Sequence, residues 1–292
     1  VVIKETLRER IIRYRHLTKH FLLYRILNRS WISNTKALHN KHKNQSCFIF
    51  ATGPSVNRLD IEKIRARLNA GDKLIAINSY ISSELATVMP PDYHIISDAS
   101  YMALPDNLKK YKDETDRDLE TIRKLGGFHL LVPHNWQLKE NFHALCANKK
   151  VSFFNHSENI VGNPNGADIT KPRYYLALTA YIGISVALYM GFKNIFLCGF
   201  DEDRVVGMEI TENNHLIWRD NHFYPETQER CYRDMTVETG TTWESFCISA
   251  ALSVQGQKKI QMDADFLNAK ILNCNPASYV TGFKKTSAFL KS

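Results

Sequence analysis

The sequence predicts an α/β protein with a Rossmann-like, mostly parallel sheet flanked by helices. Three observations predict it. Short apolar runs of strand length recur along the chain. Segments long enough for helices separate them, and strands alternating with helical segments imply a parallel sheet covered on both faces. Several runs end on small or polar residues, as strands do where they open onto a ligand crevice.

The elements follow in order. Residues 3 to 31 place Ile3, Leu7, Ile11, Tyr14 and Leu17 three or four apart, which is helix period, with Arg and Lys between them. Residues 33 to 45 are polar and aperiodic, so they read as a linker that closes an N-terminal arm over 1–45. Ser46–Ala51 reads as the first strand of a domain over 46–292. Thr52-Gly53-Pro54-Ser55 is a turn into a helix at about 58–69. A glycine there lets backbone approach a ligand, and the helix start offers N–H groups to an anion. An ordinary turn explains the tripeptide equally simply. Further strands read at 73–78 (ending on Asn78), 93–98 (ending on Asp98), 128–132, 151–154, 194–201 (ending on Asp201) and 269–276, which contains Asn275. Long helices read at about 173–190 and 241–255. Thr179, inside the first of these, is either a core hydroxyl bonded to its own backbone or a ligand contact.

The segment 202–238 is polar, aromatic and without period, the character of an active-site lid. Within it His222 is the general-base candidate, since histidine titrates near neutral pH. Tyr224, Tyr232 and Arg233 offer O–H and guanidinium donors for phosphate. Asp201-Glu202-Asp203 spaces two carboxylates as a divalent-metal site would (Mg²⁺ or Mn²⁺), although such a pair also arises by chance.

Composition narrows the function. Of the formal net charge of +8, residues 1 to 45 contribute eleven Lys/Arg against two Glu. A basic arm on a near-neutral core argues against nucleic acid and for a surface contact. The arm is expected either to lie on an anionic membrane or to pack on protein, its own core or a second copy. The six cysteines form no CxxC pair, and Cys47, Cys198 and Cys274 sit in apolar runs, so neither a disulfide framework nor a zinc site is expected. A cytoplasmic setting follows. No 18-residue apolar stretch is present, and the start is too charged for a secretory signal. Gly-x-Gly-x-x-Gly, Walker and Gly-x-Ser-x-Gly motifs are absent.

Thr52-Gly53-Pro54-Ser55-Val56-x-x-Leu59-Asp60 after a strand resembles the Asn-Gly-Pro-Ser-Leu opening of the bacterial lipooligosaccharide sialyltransferases (glycosyltransferase family 42). Asn78 matches that family's nucleotide-contacting Asn. The helix from Thr179 with the strand Gly-Phe-Lys-Asn-Ile-Phe-Leu-Cys-Gly-Phe-Asp, and the turn Cys274-Asn275-Pro276-x-Ser278, are similar to its later blocks. The features recur in a wider Maf-like and MptE-like superfamily, which holds flagellin-modifying Maf proteins and an archaeal pterin pyrophosphokinase. The resemblance spans about residues 46–283.

It implies a sialyltransferase-type variant of the GT-A fold that transfers a sialic-acid-like or Kdo-like sugar from a CMP-activated donor to a cell-surface glycan or glycolipid precursor. The reaction inverts and needs no metal. It further implies nucleotide contacts from Thr52, Gly53, Pro54, Ser55, Asn78, Asp98, Thr179, Asp201 and Asn275. His222 would be the catalytic base, with Tyr224 and Tyr232 beside the leaving phosphate. The basic arm would hold the enzyme on the inner face of the inner membrane. Thr52 replaces the family's Asn, and Asp98 stands where Asn is usual. The competing expectations are an ATP- and Mg²⁺-dependent pyrophosphokinase using Asp98, Asp201 and Asp203, and a non-catalytic nucleotide-binding or membrane-scaffold protein.

Overall fold

The computed structural model describes residues 29–102, 112–138, 142, 145–146, 149–156, 167–171, 178–219, 221–224 and 232–291. The helix expected from residue 3 lies outside them up to residue 28.

Eight parallel strands form the main sheet: β1 (Ser46–Phe50), β2 (Lys73–Ile77), β3 (Tyr93–Ile95), β4 (His129–Pro133), β5 (Lys150–Phe154), β6 (Asn194–Cys198), β10 (Lys270–Asn273) and β11 (Lys284–Lys285). Their spatial order is β11-β10-β6-β1-β2-β3-β4-β5. The chain winds outward from β1 to β5, then returns to lay β6 on the other side of β1. That reversal makes the β1/β6 boundary the switch point, where an α/β sheet opens a crevice beyond its carboxyl ends.

Alternation along β1 shows why the sheet is covered twice. Cys47 and Ile49 face a core that includes helix α5 (Thr179–Tyr189), while Phe48 and Phe50 join Val56, Ile64 and Phe289 on the opposite face. Strands buried on both faces need continuous apolar runs. Helix α5 is apolar on every side and buried from Tyr181 to Tyr189, as a helix sealed inside a protein must be. Cys47, Cys198 and Cys274 are buried free thiols, as expected.

Helix α1 (Arg29–Lys36) and the turns after it stand where a linker was expected. They are packed on the domain instead. The Thr35 hydroxyl donates to the Phe153 carbonyl at 2.7 Å and accepts the Phe153 N–H at 3.2 Å, sealing edge strand β5. The N–H groups of Asn40, His42 and Asn44 donate to the carbonyls of Tyr189, Met190 and Gly191. Period alone misses this segment because its anchors are Trp31, Thr35 and Leu38 among polar neighbours.

Helices α2 (Ile61–Asn69), α3 (Glu84–Val88) and α4 (Lys112–Lys124) connect the early strands. The sequence reading has no α4, since the segment is mostly charged. Its buried positions include Leu119, Ile122 and Asp118, whose carboxylate accepts the Tyr101 hydroxyl at 2.9 Å. Helix α7 (Trp243–Phe266) runs eleven residues beyond the expected end at 255. The described residues of the aperiodic lid hold regular structure too. It carries a separate antiparallel sheet of β7 (Glu209–Ile210), β8 (Leu216–Arg219) and β9 (Tyr232–Asp234), followed by α6 (Met235–Thr239). Strands of two to four residues leave no readable period. No helix among the described residues is long and apolar enough to cross a membrane.

Candidate functional site

At the carboxyl ends of β1, β2, β3 and β6 lies a cavity of about 490 Å³. Past their last paired residues β1 and β6 stay together. Ala51 N–H donates to Cys198 O at 2.9 Å and Gly53 N–H to Gly199 O at 3.1 Å. Such closeness demands glycine. A Cβ on Gly53 would stand 2.5 Å from both Asp201 Oδ2 and Gly199 O, and Gly199 itself has φ +74°.

Asp201 is the knot of this region. Its Oδ2 accepts the Ser55 N–H at 2.8 Å and its Oδ1 accepts the Asn275 amide at 2.7 Å. The Asn275 Oδ1 in turn accepts the Ala277 N–H at 3.0 Å. A carboxylate only 4% exposed is tolerated because N–H donors meet it on both oxygens. Asp201 thereby fastens the β1, β6 and β10 loops to one another. One N–H thus meets each Asp201 oxygen. No cluster of three or more His, Cys, Asp or Glu side chains able to hold a metal occurs among the described residues.

The β2/β3 side differs. Asn78 has φ +47°, a left-handed conformation that asparagine tolerates, and its buried Oδ1 has no hydrogen-bond partner among the described residues. Ser97 Oγ and Thr179 Oγ1 lie 2.6 Å apart across the cavity wall. Thr179 thus opens α5 and bonds to the loop after β3 rather than to its own helix. Asp98 is exposed, with Oδ1 accepting the Ser100 N–H at 2.9 Å.

The lid reaches this cavity through its backbone. Phe223 N–H donates to Thr52 O at 3.0 Å, and the Asn57 amide donates to Phe223 O at 3.2 Å across 166 residues of chain. That clamp sets His222 in the cavity wall. Tyr224 stacks on the His222 ring, centroids 5.1 Å apart and nearly coplanar, and its hydroxyl donates to Glu114 on α4 at 3.4 Å.

Of the residues singled out in the sequence, Thr52, Gly53, Asn78, Asp98, Thr179, Asp201, Asp203, His222 and Arg233 line the cavity. Pro54, Ser55, Asn275, Tyr224 and Tyr232 do not. Ser55 and Asn275 serve Asp201, and Tyr224 braces His222. Tyr232 is exposed on β9 with its hydroxyl donating to Glu209 at 2.9 Å.

Sequence reasoning did not select Ser97, His156, Arg204 or Asn221, which also line the wall. Ser97 precedes the Asp98 strand end and could have been found by that signal; the others have none. Arg204 lies over the Trp218 ring at 5.3 Å and Arg233 pairs with Glu238 at 2.9 Å, so two guanidinium groups stand on the lid side. Burial holds His156 below its ordinary pKa. Glu202, between the two aspartates, has φ +48° and its carboxylate accepts from Tyr181 and Ser253, which fixes the turn.

No protein-family model matches the chain, and no curated protein matches it. Among solved structures, a MAf glycosyltransferase from Magnetospirillum magneticum AMB-1 is similar over 90% of this chain, with a TM-score of 0.46 and 15% identity. The chain spans 39% of that protein's length.

Proposed function

We propose that the chain is an inverting glycosyltransferase that moves a sialic-acid-like or Kdo-like sugar from a CMP-activated donor to a cell-surface glycan or glycolipid precursor. The observation that carries this reading is the meeting of Thr52, Gly53, Asn78, Thr179 and His222 around one cavity. These are residues the sequence motifs select separately. Asn78 supports it further, because it lines the cavity and its buried Oδ1 is unpartnered among the described residues, which is unfavourable until a donor reaches it.

In the proposed reaction the nucleotide lies between the Thr52–Gly53 loop and the Asn78 side. Its amino or hydroxyl groups complete the Asn78 valence. An acceptor hydroxyl enters from the lid side, and His222 takes its proton as the oxygen bonds to the anomeric carbon. The bond from that carbon to the phosphate oxygen breaks, and CMP leaves with the electron pair. Arg204 and Arg233 are the cations placed to offset the departing charge. Tyr224 keeps the imidazole plane fixed. No step requires a metal. The basic arm would hold the enzyme at the inner membrane face, near lipid-borne acceptors.

Thermal denaturation with CMP, UDP, GDP and ATP plus Mg²⁺ tests the donor class, since a ligand of the native state raises Tm. Cytidine nucleotides are expected to raise it. A rise with ATP plus Mg²⁺ and none with CMP would replace this reading with the pyrophosphokinase. His222→Ala is expected to lower kcat about a hundredfold or more while CMP still binds; unchanged turnover removes His222 as base.

A further inference from the structure

The opposite ends of the strands carry a second cavity, of about 430 Å³. Tyr93, His129 and Lys150 are neighbours in the sheet register at the starts of β3, β4 and β5, and Lys73 opens β2. The α1–β1 connection adds Lys41 and His42, and Lys149 precedes β5. Four lysines therefore line this space against one carboxylate, Asp92.

Their partners are unequal. Lys73 pairs with Asp92 at 3.1 Å. Lys149 donates to the Leu125 carbonyl at 2.7 Å, past the end of α4. Lys41 lies 5.5 Å over the Tyr93 ring and has no carboxylate partner among the described residues; neither has Lys150. The two imidazoles between them are hydrogen-bonded within the fold. His42 Nδ1 lies 2.6 Å from Gln45 Oε1 and its Nε2 2.7 Å from the Tyr93 hydroxyl. His129 Nε2 meets Ser152 Oγ at 2.9 Å. Burial, then repulsion from Lys41 and Lys150, holds His129 down at about 4, and burial with Lys41 and Lys73 lowers His42 against the opposing pull of Gln45 and Asp92. The fold thus gathers four lysines around one recess against a single carboxylate, with Lys41 and Lys150 exposed at its rim, and this excess of positive charge attracts an anion.

We propose that this cavity is a second ligand site, which takes an anion bearing a phosphate or diphosphate. Lysine binds such groups as a point charge, so the site selects charge density rather than a planar partner. This cavity shares no lining residue with the crevice at the other end of the sheet. The phosphate belongs either to a soluble ester or to a lipid headgroup.

Imidazole NMR of the full chain tests it, with the His42 and His129 signals assigned through His42→Gln and His129→Gln. Pyrophosphate is expected to move both signals along one saturation curve. The pair Lys41→Glu with Lys150→Glu leaves the Lys73–Asp92 pair and the Lys149 contacts intact and is expected to weaken that binding about tenfold or more. If this variant folds poorly, Lys41→Gln with Lys150→Gln should weaken it in the same direction. Unmoved signals, parental affinity in the variants, or equal shifts from sodium chloride at matched ionic strength would overturn the proposal. Vesicles of phosphatidylcholine with and without phosphatidic acid then separate the sources. Binding that needs phosphatidic acid, falls in the variant and is displaced by pyrophosphate assigns the site to a headgroup. Pyrophosphate binding with vesicle binding unchanged in the variant assigns it to a soluble ester.

Discussion

The two walls of the crevice use polar residues in opposite ways. On the β1/β6/β10 side, the Ser55 N–H and the Asn275 amide meet the two oxygens of Asp201, and the Ala277 N–H meets Asn275 Oδ1. On the β2/β3 side, Asn78 leaves a buried oxygen unmet. Polar residues at neighbouring strand ends therefore do two jobs that look the same in sequence. One set fixes loop geometry, and the other keeps valence in reserve for something that arrives.

The comparison is broken most severely at Gly53. Gly53→Ala puts a methyl into contact with Asp201 Oδ2 and Gly199 O. It should cost about 3 kcal/mol of stability and abolish ligand binding, both read by urea denaturation with and without CMP. A stable variant with intact binding would mean that the β1 and β6 loops can separate freely. A smaller effect of opposite kind is expected from Asn78→Gly, which keeps the left-handed conformation. Unfolding free energy should stay within about 1 kcal/mol, while CMP affinity falls roughly tenfold. Equal losses in both quantities would place Asn78 with the structural wall.

His94 sharpens the comparison with the smallest effect. It is fully buried in β3, and neither ring nitrogen has a partner among the described residues, yet it does not line the crevice as Asn78 does. An unmet polar atom marks a site only where space adjoins it. Burial drives the His94 pKa down from 6.5 to about 3. The unfolded chain then binds a proton that the folded chain refuses, so stability should fall as pH drops from about 6.5 toward 3. His94→Phe should flatten that acid slope in thermal denaturation; parallel slopes in parent and variant would contradict the assignment.

The βα order was legible because buried parallel strands need continuous apolar runs, and β1, β2, β6 and β10 have them. Helix α4 was not, since its buried positions Thr115, Asp118, Leu119 and Ile122 fall at helix spacing but two of them are polar, which hides the apolar stripe. The lid's sheet was hidden by the shortness of its strands. Within the site, the polar strand ends were visible as a group. Their division into knot and reserve was not, because it depends on which loops cross. Tyr224 shows the same limit: its place behind His222 depends on Glu114, in a helix the sequence conceals.

The hydrogen bond from Phe223 to Thr52 joins main chain to main chain. No side-chain replacement deletes its donor or acceptor, except a proline at 223. The residues around it are therefore free to drift while the imidazole keeps its station beside the first loop. Under the proposed reaction, a lineage could exchange one acceptor for another by rewriting lid side chains alone, without first moving His222. Variation among descendants of this chain should then gather in the lid's outward-facing positions and spare the register of that single backbone contact.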